Sequence, residues 1–231
     1  MKKKVVALLP MKAHSERVKG KNFRDFNGKP LFRWILDSLL EVEEIEQVII
    51  NTDARHILEA NGFTDSDRIL IRDRKPEICG DMVSMNLVLA DDVENVEAGI
   101  YLMTHTTNPL MSADTIRRAL GAFQQAQSQD TADSLFTVDK IQTRFYRADG
   151  SAVNHDPDNL VRTQDLEPWF EENSNLYIFT RCSFAGTNAR IGKNPMMFES
   201  PKFESLDIDT PEDWDFAVIS ARYLMEQKRK Q

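Results

Sequence analysis

The sequence predicts an α/β protein, a mostly parallel open sheet with helices on both faces. Short β-branched runs alternate with stretches of helical apolar spacing through residues 1–140, which is the pattern of βαβ units. The first apolar run is unbroken rather than alternating, as expected of a strand covered on both faces. With 231 residues and 41% hydrophobic content, the chain furnishes one full core, read here as a single domain over 1–231.

Residues 4–10 form the first predicted strand, closed by Pro10. Asn27-Gly28-Lys29-Pro30 then turns the chain, and Phe32, Ile35, Leu36, Leu39 and Leu40 recur on one helical face. Residues 48–53 are a second strand with a polar end, followed by a short helix running to Asn61-Gly62. The alternation continues with a strand at 69–72, a helix at 81–93 and a strand at 100–103. Ile116, Ala119, Leu120 and Phe123 mark the next helix, and 134–138 one more strand. From 140 to 175 the pattern weakens into polar, turn-rich sequence with Asp149-Gly150 and Asp156-Pro157, an insertion candidate. After it 176–179 returns as a strand, and Trp214, Ala217, Val218, Ala221 and Leu224 line a closing helix that begins near Pro211.

A formal charge of −8 argues against nucleic-acid and membrane-surface partners, since both present negative charge. The opening apolar run is too short for a signal or membrane-spanning segment. Cys79 and Cys182 have no metal-binding or CxxC spacing and read as idle thiols of a reducing, cytoplasmic setting. His14, His56 and His155 have no partner spacing that suggests a triad or a metal site.

Against this acidic background the loop after the first strand is basic. Lys12, Arg17, Lys19 and Lys21, with Ser15, place four cations and a hydroxyl where open α/β sheets bind ligands, as a cradle for phosphates would. The loop has neither a Walker lysine pattern nor GxGxxG, and a merely solvated basic loop has the same composition. Near the other end, Asp207-Ile208-Asp209-Thr210 sets two carboxylates on one face of an extended backbone, able to share a hard divalent cation. Helix capping ahead of Pro211 is the competing role for Asp209 and Thr210.

These segments together resemble the acylneuraminate cytidylyltransferase family, the CMP-sialic acid and CMP-nonulosonate synthetases. Pro10, Ser15, Lys21 and Asn22 fall in the family's Pro-Ala-Arg-Gly-Gly-Ser-Lys…Lys-Asn loop without a gap, while Lys12 replaces its arginine, Ala13-His14 its glycine pair and Glu16-Arg17 its Lys-Gly. Lysine keeps the charge but not the bidentate fork. Asn51-Thr52-Asp53 is similar to the family's Ser-Thr-Asp, and Arg74 through Asp81 with Ser84 to its Arg-Pro…Asp-x-x-Ser segment. His105-Thr106-Thr107-Asn108-Pro109-Leu110 stands where the family has Gln-Pro-Thr-Ser-Pro-Leu. Arg162-Thr163-Gln164-Asp165-Leu166 and Asn173 through Tyr177 resemble the stretches Arg-Gln-Asp-Leu-Pro and Asn-Gly-Ala-Ile-Tyr, and Asp207 through Thr210 matches Asp-Ile-Asp-Thr.

The resemblance implies a nucleotide-diphospho-sugar transferase fold and transfer of CMP from CTP to the anomeric 2-hydroxyl of an acidic 2-keto sugar. On that reading Lys21, Lys12 and Arg17 are catalytic, and Pro10, Met11, Lys12, Ser15, Lys21, Asn22, Asp81 and Ser84 hold the nucleotide. His105, Thr106, Thr107, Lys140, Arg162, Gln164, Asn173 and Tyr177 face the sugar, and Asp207 and Asp209 bind Mg²⁺ or Mn²⁺. No general base is assigned. A homodimer is expected, with the 140–175 excursion helping to close the partner's sugar site, because Phe145, Tyr146, Trp169 and Phe170 lie in that otherwise polar segment. The alternatives are a cytidylyltransferase for an eight-carbon sugar such as Kdo or its 8-amino relative, and a non-catalytic nucleotide-binding protein of the same fold. Ser15, Arg17, Gly20 and Lys21 suit the first of these, whereas Asn108-Pro109-Leu110 does not match its Gly-Asp-Glu-Pro.

Overall fold

The computed structural model describes residues 3–15 and 17–229. Strand β1 (Val5–Leu8) is buried along its whole length, which its unbroken apolar sequence requires. After the basic loop, a small hairpin of β2 (Asp25–Phe26) and β3 (Lys29–Pro30) turns on Asn27 and Gly28, both with positive φ, as a tight primed turn demands. Helix α1 (Leu31–Glu41) buries Phe32, Ile35, Leu36 and Leu39, and β4 (Ile45–Thr52) follows. The short α2 (Arg55–Ala60) ends at Asn61-Gly62 and leads to β5 (Ile69–Asp73).

Helix α3 spans Met85–Asn95 rather than starting at 81, because the Ser84 hydroxyl caps it by accepting the Asn86 amide. Next come β6 (Ile100–Thr104), α4 (Ala113–Ser128), β7 (Ser134–Ile141) and β8 (Trp169–Phe179). The sequence reading started this last strand at 176. Its first half, Trp169-Phe170-Glu171-Glu172, has two aromatics but no alternating apolar pattern, and it pairs with Val138–Ile141 in an arm that extends the sheet. Two further elements escaped the sequence reading, α5 (Arg181–Thr187), held by a Thr180–Ser183 capping box, and β9 (Pro195–Glu199). Helix α6 (Pro211–Arg229) closes the chain.

Among the described residues the main sheet has the order β5-β4-β1-β6-β8-β7-β9. Only β8 runs against the others, being antiparallel to both β6 and β7. Alternate residues of β1 feed two cores: Val5 and Ala7 pack with α1 and α4, and Val6 and Leu8 with α3, Tyr101 and Phe179. Burying each such aliphatic side chain contributes roughly 1.5–3 kcal/mol. A third cluster seats α6, through Trp214, Ala217 and Ala221, on Phe26, Leu31 and Ile208. That cluster brings the last connection of the chain to the mouth of β1. Among the described residues no helix is long and apolar enough to cross a membrane.

Candidate active site

Segments leaving the C-terminal ends of β1, β5 and β6 surround one cleft of about 300 Å³. Pro10, Lys12, Ser15, Arg17, Lys21 and Asn22 line it from the first loop. Arg74, Asp81 and Met85 line it from the segment after β5, and His105, Thr106 and Thr107 from the end of β6. Ten of the residues singled out in the sequence therefore meet in one place.

Backbone and side-chain bonds explain how the basic loop holds its shape. Met11 pairs with the end of β4 and buries its side chain, so it presents backbone rather than thioether to the site. The Ala13 amide donates to Asp53 Oδ1 at 2.6 Å. Asn22 is buried; its amide donates to the Lys12 carbonyl at 2.8 Å and its Oδ1 accepts the Thr106 hydroxyl at 2.7 Å. Both ends of that side chain are committed, so Asn22 pins the loop to β6 and sets the loop's geometry. Lys12 Nζ lies 2.6 Å from Asp81 Oδ1 across the cleft.

The acidic segment crosses the same mouth. The Ile208 amide donates to the Thr107 carbonyl at 2.9 Å, which docks Asp207-Ile208-Asp209 on the end of β6. Arg17 donates to Asp209 Oδ1 at 2.9 Å, and Lys21 Nζ lies 3.7 Å from that oxygen while donating to the Ile208 carbonyl at 2.6 Å. Burial holds Lys21 below the usual lysine range against the pull of Asp209 and Asp207. Asp207 is the more enclosed of the pair: burial raises its carboxyl above the ordinary range, and its Oδ1 is buried without a hydrogen-bond partner. An orphaned carboxylate oxygen beside a second carboxylate is a donor set that fits a hard divalent cation. Thr210 does cap α6: its hydroxyl accepts the Asp213 amide at 3.2 Å, and Asp213 Oδ2 in return accepts the Thr210 amide at 2.7 Å.

Several expected sugar residues lie elsewhere. Lys140 stands at the outer end of β7 and, with Asp207, Leu206, Phe203 and Phe216, lines a second, larger cavity of about 890 Å³. Arg162 and Gln164 belong to the exposed excursion; Arg162 is held by its near neighbour Asp165 at 2.7 and 3.0 Å, so this chain alone does not bring either to the cleft. Asn173 donates to Ser200 Oγ at 2.7 Å, a bond between the β8 arm and the end of β9. Tyr177 is buried in the second core cluster and does not line the cleft; its hydroxyl, whose pKa burial pushes up to about 12, bonds to Glu172 and Arg190. Ser84 is the cap of α3.

Two cations were not assigned a role from sequence. Arg74 is buried, donates to the Asn51 side chain at 3.0 Å and carbonyl at 2.8 Å and to the Met11 carbonyl at 3.3 Å, and lines the cleft wall. Its place in the Arg-Pro-like segment was the available signal. Arg190 follows α5 in a stretch with no motif; it lies over the Tyr177 ring, 3.9 Å from its centroid, with Nη1 3.5 Å from His105 Nε2. Burial and the Arg190 charge push the His105 pKa down to about 3, so the imidazole is neutral near pH 7.

A basic loop at a strand mouth, closed by an acidic Asp-x-Asp segment, is an arrangement suited to a nucleoside triphosphate with its cation. The family model for cytidylyltransferase matches residues 6–229. This chain belongs to the cytidylyltransferase family. It is 24% identical to a pseudaminic acid cytidylyltransferase of Campylobacter jejuni subsp. jejuni serotype O:2, covering 94% of this chain and 95% of that protein. It is 25% identical to a CMP-N,N'-diacetyllegionaminic acid synthase of Legionella pneumophila subsp. pneumophila, covering 91% and 93%. A solved CMP:2-keto-3-deoxy-manno-octonic acid synthetase complexed with CTP shares the fold, with a TM-score of 0.64 at 18% identity over 97% of this chain and 99% of that one. A cytidylyltransferase is a nucleotidyltransferase, and the enzyme class expected from the sequence stands.

Proposed function

We propose that this cytidylyltransferase transfers CMP from CTP to the anomeric 2-hydroxyl of an acidic 2-keto sugar of the nonulosonic class, releasing pyrophosphate. The observation that carries the reading is the closure of the basic first loop on the Asp207–Asp209 segment through Arg17 and Lys21. Transfer at phosphorus asks chiefly for alignment and charge neutralisation. Lys12, Arg17 and Lys21 supply the positive charge, Asn22 holds the loop that carries them, and Arg74 lends a rigid donor from the opposite wall. Mg²⁺ or Mn²⁺ held by Asp207 and Asp209 would add positive charge at the phosphate oxygens. The relatives that span nearly the whole chain are named for pseudaminic and legionaminic acids, which supports the nine-carbon class over Kdo.

In the same reading the enzyme is a cytoplasmic homodimer in which the arm of one subunit, carrying Arg162 and Gln164, closes the sugar site of the other. Exposed Tyr146, Trp169 and Phe170 support it. The test is pyrophosphate release from CTP with pseudaminic, legionaminic, sialic and Kdo acceptors. Release with a nonulosonic acid and none with any acid-free control is expected; release with Kdo alone would move the enzyme to the eight-carbon class.

A further inference from the structure

Two arginines stand two residues apart at the end of β5, and the fold treats their charges differently. Arg72 pairs with both carboxylates that α3 presents, with Asp91 Oδ2 at 2.8 Å and in direct contact with Asp92 Oδ1. Arg74, one residue past the strand, is 7% exposed, yet among the described residues it forms no ion pair. Its acceptors are neutral carbonyl oxygens: Nε donates to Asn51 Oδ1 at 3.0 Å, and Nη2 to the Asn51 carbonyl at 2.8 Å and the Met11 carbonyl at 3.3 Å. A buried cation ordinarily takes a carboxylate. This one keeps its charge uncompensated on the wall of the cleft.

Asn51 makes that arrangement. It is fully buried near the end of β4, where its amide donates to Asp92 Oδ1 at 2.8 Å while its Oδ1 faces Arg74. A guanidinium only donates and a carboxylate only accepts, so the amide fits between them one way round. Side-chain and main-chain oxygens of Asn51 grip one edge of the guanidinium, Nε and Nη2, and Nη1 takes no bond from the described residues. The amide thus anchors Arg74 to the Arg72–Asp92 pair without laying a carboxylate on it. A direct contact with Asp92 would neutralise the charge. The array also carries a penalty, since Asp92 Oδ2 is buried without a hydrogen-bond partner, and a contact that served packing alone would not need it.

Resting on the proposed binding of CTP in this cleft, we infer that Asn51 is a positioning residue for the nucleotide: anchored on Asp92, it fixes the Arg74 guanidinium with its charge uncompensated and Nη1 left for the ligand. Holding the arginine in advance removes the entropy cost of ordering it when CTP arrives.

The test is a double-mutant cycle read by calorimetric titration of CTP with Mg²⁺, in the absence of any acceptor sugar. Asn51→Ala and Arg74→Met are each expected to weaken CTP binding by roughly tenfold or more, the scale of a lost hydrogen bond to a charged group. The double variant should bind no more weakly than Arg74→Met alone, because Asn51 acts only through Arg74. Melting temperatures accompany each titration. A merely structural Asn51 would lower the melting temperature and leave the Kd for CTP unchanged, or would add its loss to that of Arg74→Met, and either result overturns the assignment. If Asn51→Ala fails to fold, Asn51→Ser, with one oxygen to serve both neighbours, closes the same cycle and is judged by the same two results. Wild-type enzyme that binds no CTP overturns the nucleotide reading and this assignment with it, whereas equal binding by wild type and the Asn51 variants overturns the assignment alone.

Discussion

Arg17 and Asp209 stand 192 positions apart in the chain, and their side chains meet at 2.9 Å. The contact joins the loop after the first strand to the connection before the last helix, so the two ends of the sequence form one rim. It also pairs groups whose proposed ligands have opposite charge: phosphates for Arg17 and Lys21, a divalent cation for Asp209. Each ligand would satisfy charge that the other's arrival exposes, which makes joint binding of the nucleotide with its cation the favourable route.

Removing either carboxylate should therefore abolish metal-dependent turnover. In Asp209→Asn and Asp207→Asn, pyrophosphate release titrated with Mg²⁺ is expected to fall by roughly 10²-fold or more, since each loses a charged ligand for a hard ion. The folded states should differ. Asp207 is buried with an orphaned oxygen, so its asparagine variant is expected to melt at the wild-type temperature or above. Normal turnover with unchanged Mg²⁺ dependence in both variants would remove the metal assignment.

Two cations of the first loop should separate by burial. The Lys21 side chain is 12% exposed and that of Arg17 65%, so water screens the latter far more. Lys21→Ala is expected to lower kcat by about 10²-fold with the fold intact, the scale of a lost transition-state charge contact. Arg17→Ala should cost less, and the cost should shrink further at high salt. If Lys21→Ala only raised the KM for CTP, Lys21 would be a ground-state ligand.

The contrast between these residues also shows what could be read in the sequence. The basic loop and the Asp-x-Asp pair were legible because their meaning is local: charge of one sign crowded at a strand end, carboxylates spaced for one face. The helices α1, α4 and α6 were legible through apolar spacing alone. Arg190 was not, because its role comes from landing on Tyr177, and nothing in Asn188-Ala189-Arg190 announces that contact. The outer half of β8 was hidden for a related reason: Glu171 and Glu172 become strand only by pairing with Asp139 and Val138. Asn22 looked like a ligand residue, yet its two ends are taken by Lys12 and Thr106.

His105 offers a pH test with a definite sign. Its pKa is about 3 in the folded enzyme against about 6.5 in an unfolded chain. Between those values the unfolded state holds a proton that the folded state lacks, so stability rises with pH across this window and the contribution is level above it. Urea unfolding at pH 4.5 and pH 7 should give a larger gain for wild type than for His105→Gln, which does not titrate there. Identical gains would mean that the folded imidazole takes a proton near its ordinary value.

The arm formed by β7 and β8 motivates the last prediction. Lys140 pairs with Phe170 and Ile141 with Trp169, so a two-stranded extension leaves the core carrying aromatic side chains into solvent. Trp169 and Phe170 are 37% and 43% exposed, and Leu160 and Val161 beside them in the excursion are 63% and 43% exposed. Phe145 stacks on Trp169 at 5.1 Å, which stiffens the arm without covering it. A lone two-stranded ribbon is marginal in water, and a second copy related by a two-fold axis would bury both arms at once. Light scattering at micromolar concentration is expected to give about twice the 26.5 kDa chain mass. Trp169→Glu should shift the enzyme toward monomer, and the monomer should lose acceptor affinity while still binding CTP, because Arg162 and Gln164 would no longer reach a neighbouring site. A fully active monomer at assay concentration would refute the dimer and leave this arm without a catalytic role.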